Sequence, residues 1–142
     1  MIKKLDHIGI AVKDMENGLN RWKTLLNSVD AVIEEIPERG IKAAHLEIPG
    51  GGSVELVEPL TSDSPVAKFL ETRGEGIHHL CFEVEDLEAA MKDLKEKGIR
   101  FMTDRPVCGA GGSRIVFAHP RDLGGVLVEL KEKAEKISLQ PE

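Results

Sequence analysis

The chain has 142 residues, 31% of them charged and 41% hydrophobic, which is enough apolar sequence for one core without staples. A formal net charge of -6, with no long run of Lys or Arg, excludes the basic face that a nucleic-acid groove needs. Two cysteines in unlike contexts, Cys81 and Cys108, signal neither a disulfide framework nor a paired-cysteine zinc site, and the N-terminus enters strand-like sequence without a long apolar run. A cytoplasmic protein with a small-molecule ligand is expected, with no nucleic-acid or membrane partner.

The elements come twice. "LDHIGIAVKDMENGL" (5–19) returns as "IHHLCFEVEDLEAAM" (77–91), so that at an offset of 72 His7 matches His79, Ile10 matches Phe82 and Asp14 matches Asp86. Each copy opens with the period-two alternation of a strand and passes an acidic N-cap, Asp14 or Asp86, into a helix. The first helix carries Met15, Leu19 and Trp22 on one face, and the second carries Leu87, Ala90, Met91 and Leu94, with Gly98 as its stop. Strands are predicted at "IKAAHLEI" and "GSVELVEP" with one short element in the same half, and again at "RFMTD", "SRIVFAH" and "GVLVEL". "SVELVEP" and "LVELKEK" repeat at an offset of 74, pairing Glu55 with Glu129. The fold class is therefore α+β, two tandem βαβββ modules in one compact domain. The modules span 1–60 and 77–131, with a connecting helix in 61–76 and a charged tail over 132–142.

Alternate side chains of a strand leave opposite faces. If Ile8, Ile10 and Val12 cover the first helix, His7 and Gly9 point away from it. The same parity sends His79, Cys81, Glu55 and Glu129 away from their helices, so two curled sheets would bring His7, Glu55, His79 and Glu129 into the cavity between them. Two imidazoles and two carboxylates suit one divalent metal ion, Co²⁺, Mn²⁺, Ni²⁺, Zn²⁺ or Fe²⁺, with two positions left for substrate oxygens in six-coordination. His45 shares the parity of Ala43 and Glu47 and is a candidate for the same cavity. Ser113 and Arg114 in "GAGGSRI", and His119 before Pro120, are further candidates for substrate contact.

These pieces resemble the vicinal oxygen chelate (glyoxalase) superfamily, and within it the methylmalonyl-coenzyme A epimerases. The likeness runs over residues 5–131, through "DHIGIAV", "PERG", "SPVAKFLETRGEGIHHLCFEV" and "GAGGSRIVFAHPRDLGGVLVEL". It implies a vicinal oxygen chelate fold whose metal sits on His7, Glu55, His79 and Glu129, with cobalt as the leading ion, an acyl-coenzyme A substrate and a homodimer. The implied reaction removes and returns the C2 proton through a metal-stabilised enolate, with Glu55 and Glu129 as the acid-base pair. Some such epimerases place an acid at the position of Ala43 and Gln at that of Glu55. Ala43 transfers no proton, which leaves Glu55 as the substitute. The two-histidine, two-glutamate set is also that of metal-dependent glyoxalase I, which stands as the alternative. A drug-binding resistance protein of this fold commonly lacks the metal, and a ring-cleaving dioxygenase would use two histidines and one glutamate.

Overall fold

A computed structural model describes residues 1–27 and 31–134 of the chain. The first module comprises β1 (Ile2–Ala11), α1 (Met15–Leu26), β2 (Ile33–Ile36), β3 (Ile41–Glu47) and β4 (Ser53–Pro59). After α2 (Pro65–Arg73) the second repeats the order with β5 (Gly76–Val84), α3 (Leu87–Glu96), β6 (Val107–Cys108), β7 (Arg114–Ala118) and β8 (Val128–Glu132). Residues 135–142 of the expected tail lie outside the described residues.

Local chemistry starts the helices as read from the sequence. The Asp14 carboxylate accepts from the Glu16 N–H, and Asp86 accepts from Ala89 N–H, each satisfying a donor that the first helical turn leaves free. Asn27 closes α1 in the left-handed conformation at φ 52°.

The strands form one eight-stranded sheet in the order β2-β3-β4-β1-β5-β8-β7-β6, not two separate ones. β1 runs parallel to β4 and β5 parallel to β8, while β1 and β5 pair antiparallel at the seam between modules. Each module buries its apolar strand face under its own helix. Ile10, Val12, Leu46, Val54 and Leu56 pack on Met15 and Leu19, and Val84, Val116 and Leu130 pack on Leu87, Ala90 and Met91. Burying a side chain of the size of Leu56 contributes roughly 1.5–3 kcal/mol, so these faces fix the parity of every residue opposite them.

The strand expected at "RFMTD" is not there. Phe101 makes one isolated bridge to Ala118, and the second strand of the second module is instead Val107–Cys108 against β7. The cause is the turn that follows. Thr103 Oγ1 donates to the Arg105 carbonyl, and Pro106 has no N–H for a ladder, so the edge resumes only past the proline.

Candidate metal centre

His7 and His79 leave the seam strands on the face opposite the helices, each into space that the other module leaves open. Across the β1–β5 ladder His7 is paired with Cys81, and His79 with Gly9. Gly9 and Cys81 are themselves the matched positions of the repeat. A Cβ on Gly9 would stand 2.0 Å from Cε1 of His79, so only glycine seats that ring. Glu55 and Glu129 come from the strands flanking the seam, level with Gly9 and Cys81 respectively. All four side chains are buried, with at most 3% of their surface exposed.

The structure thus assembles the four residues whose face the sequence parity assigned. His7 Nε2 lies 3.1 Å from His79 Nε2, 3.2 Å from Glu129 Oε1 and 3.5 Å from Glu55 Oε1. His79 Nε2 lies 3.2 Å from Glu55 Oε1 and 3.6 Å from Glu129 Oε1. Donors held about 2.0–2.2 Å from one divalent ion stand about 3.0–3.6 Å from each other when the angle at the ion is near 90–110°. Glu55 Oε1 makes no aligned hydrogen bond despite its burial, as expected of an oxygen aimed at a shared point and not at a neighbour. By spacing and donor chemistry the cluster fits a divalent metal.

A further set of groups aims these donors. His7 Nδ1 lies 2.8 Å from Asp6 Oδ2, which Lys131 Nζ also reaches at 3.0 Å. His79 Nδ1 lies 2.9 Å from His78 Nδ1. Such partners hold the proton on Nδ1 and aim Nε2 at the shared point, where a bound metal would displace the Nε2 proton. Burial, with the positive fields of His79 and Arg39, pushes His78 down to about 4, which keeps it a neutral acceptor. Burial opposes charge on His7, but its bonds to Asp6, Cys81, Glu129 and Glu55 outweigh that and raise it well above the usual imidazole range. Burial likewise opposes ionisation of Glu55 and Glu129. Contacts to His45, His7 and His79 hold Glu55 well below the usual carboxylate range, while His7, His79 and Arg39 lower Glu129 against the opposing charge of Glu55. Two buried anions beside two imidazoles form a hole that favours a cation.

His45 joins the cluster, its Nε2 3.0 Å from Glu55 Oε2 and its ring edge-on to His7. The other three candidates are engaged elsewhere. Ser113 Oγ donates to the Ala110 carbonyl and closes the glycine-rich turn, while His119 Nδ1 accepts from the Arg121 N–H and caps the turn after β7. Arg114, too, has its partners away from the centre. It shares the helix-side face of β7 with Val116 and pairs with Glu88 of α3 and with Glu132, leaving Ile115 and Phe117 on the other face. The glycine-rich loop does present an amide, for Gly111 N–H donates to Glu34 at 3.1 Å.

Sequence reading missed Arg39, whose Nη1 is 3.6 Å from Glu129 Oε2 while its guanidinium lies over the Phe117 ring. "PERG" was visible, but nothing local tells that a residue in a turn of the first module reaches a glutamate of the second. Asp6 and His78 were visible too, as the residues before each ligand histidine. Two cavities flank the cluster. One of about 470 Å³ runs from Ala43 and His45 past Asp6 to Lys131 and Lys133, and one of about 480 Å³ is mainly apolar, around Phe117, Leu127 and Val66 with Arg39 at its edge.

Paired βαβββ modules around a two-histidine, two-glutamate centre define the class. The family model for the glyoxalase/bleomycin resistance protein/dioxygenase superfamily matches residues 6–117, and the chain belongs to that family. Its relatives are more particular. It is 39% identical to human mitochondrial methylmalonyl-CoA epimerase over 130 residues, covering 91% of this chain and 73% of the human one. It is also 39% identical over 134 residues to the ethylmalonyl-CoA/methylmalonyl-CoA epimerase of Cereibacter sphaeroides, covering 93% and 99%. Among solved structures, methylmalonyl-CoA epimerase from Mycobacterium tuberculosis superposes with a TM-score of 0.92 at 38% identity, over 98% of this chain and 93% of that one. A methylmalonyl-CoA epimerase in complex with methylmalonyl-CoA and NH4+ gives 0.87 at 37% identity, over 94% and 96%.

Proposed function

We propose that the chain is a metal-dependent methylmalonyl-CoA epimerase that interconverts the (R) and (S) thioesters. The observation that carries this reading is the buried centre, four donor atoms from two modules at 3.1–3.6 Å, in a chain whose near-full-length relatives bear that name. His7, Glu55, His79 and Glu129 would hold the ion, which would supply Lewis-acid stabilisation of the enolate oxygen. Glu55 and Glu129 project from β4 and β8, on either side of the seam. A C2 carbon between them meets a carboxylate on each face, one taking the proton as general base and the other, protonated, returning one to the opposite face. Ala43 is a core residue packed with Ala11, Ile36 and Ile41, which supports Glu55 in the second acid-base role.

Cobalt is the ion we assign, a homodimer with isologous contacts the assembly, and the cytoplasm the compartment, supported by the free thiols of Cys81 and Cys108. The test is C2 proton exchange of methylmalonyl-CoA in deuterated water, followed by NMR, on metal-stripped protein with and without added Co²⁺. Exchange that appears only with the metal and equilibrates the two epimers is expected. No exchange by folded, cobalt-loaded protein would overturn the assignment.

A further inference from the structure

The two halves of the centre hold their glutamates differently. Glu55 lies opposite His45 in the β3–β4 ladder, and Glu129 lies opposite Phe117 in the β7–β8 ladder, so His45 and Phe117 occupy corresponding places. Each stands edge-on to the ligand histidine of its own module, His45 on His7 at 5.2 Å and Phe117 on His79 at 5.9 Å between ring centres. Phe117 has no polar atom, and Glu129 Oε2 is met instead by Arg39. On the other side Glu55 Oε2 lies 3.0 Å from His45 Nε2, a close charge contact that is not aligned as a hydrogen bond, and that nitrogen has no hydrogen-bond partner among the described residues. In both glutamates Oε1 faces the two imidazoles and Oε2 is the occupied oxygen.

We propose that His45 is a positioning residue for the metal centre: by engaging Oε2 of Glu55 it leaves Oε1 as the single oxygen offered to the ion, the task Arg39 performs for Glu129. A carboxylate with both oxygens free can swing or present both. One anchored at Oε2 is presented in a single orientation, and metal affinity follows from that preorganisation. This rests on the metal-centre reading above, and its test needs no substrate.

The variants are H45F, which installs the residue of the second module at the corresponding place, and H45Q, whose amide N–H can still reach Oε2. H45A serves as a second apolar variant if H45F melts early. Metal-stripped wild type and variants are titrated with Co²⁺ against a chromophoric chelator. The visible spectrum of the cobalt form and its hyperfine-shifted imidazole N–H signals are recorded alongside. H45F and H45A should bind Co²⁺ about 10–100-fold more weakly, the usual cost of removing a group behind a ligand. H45Q should recover most of the loss, and wild type should show two shifted ring N–H signals, from His7 and His79. Equal affinity in wild type, H45F and H45A overturns the proposal alone. So does failure of H45Q to recover, or a third shifted ring N–H that H45F abolishes, which would make His45 a direct ligand. Failure of folded wild type to bind Co²⁺ overturns the metal-centre reading itself.

Discussion

Gly9→Ala is the most economical way to strike the centre without touching a ligand. The added Cβ would stand 2.0 Å from Cε1, 2.3 Å from Nδ1 and 2.5 Å from Nε2 of His79. The backbone cannot yield, because β1 is held on one side by β4 and on the other by β5. The ring must therefore retreat by about 1.4 Å, from 2.0 Å to the 3.4 Å at which ordinary contact begins. Metal–ligand distances tolerate about 0.2 Å. His79 thus leaves the centre, and Co²⁺ affinity should fall by at least the roughly 100-fold that ends the range for outer residues. Metal-free stability should fall less severely, by about 1–3 kcal/mol, the ordinary cost of overpacking. Cobalt titration and denaturant unfolding of the stripped protein read the two effects separately. A Gly9→Ala protein that binds Co²⁺ as tightly as wild type would refute the seating of His79 against Gly9.

Asp6→Asn removes the carboxylate behind His7 Nδ1 and should weaken Co²⁺ binding about 10–100-fold in the same titration while the fold persists. Burial pushes the Cys81 thiol up to about 12, whereas Cys108 is exposed, so native protein should consume one equivalent of a thiol reagent and unfolded protein two. The side chain and backbone N–H of Arg100 pull Asp122 down to about 2 from 3.8. A lowered carboxyl stabilises above its ordinary value and loses that contribution as pH falls through about 2, so Asp122→Asn should unfold more easily at pH 7 and lose less stability between pH 4 and pH 2 than wild type. Arg114→Ala should leave the KM for methylmalonyl-CoA unchanged, because its guanidinium faces Glu88 and Glu132 on the helix side. A raised KM would return Arg114 to the substrate.

Strand parity was legible because both helices have strong apolar faces that commit one side of each strand to the core. His7, Glu55, His79 and Glu129 then follow with no further information. Their convergence rests on the β1–β5 seam, which joins the two expected sheets into one. What stayed hidden depends on turns and on cross-module reach. Val107–Cys108 could not be placed because Thr103 and Pro106 decide where that edge resumes. Arg114 was offered for substrate contact because a glycine-rich loop precedes it, but it belongs to β7, where alternation sets its direction. Arg39 finds Glu129 only once the modules are joined.

The duplication itself shows where such a site can diverge. The four positions proposed to hold the ion keep the same chemistry in both halves, His7 with His79 and Glu55 with Glu129, as a single shared ion would require. The positions behind them keep their geometry but not their chemistry. Asp6 and His78 correspond in the repeat, and each meets Nδ1 of the following histidine, at 2.8 and 2.9 Å. One is an anion that strengthens the donor character of its ring, and the other is an imidazole held neutral by burial. His45 and Phe117 differ in the same manner, with Arg39 supplying for Glu129 what Phe117 lacks. A symmetric set of donors is thereby given an asymmetric field, which the proposed reaction would need if its two carboxylates hold opposite protonation states at each turnover.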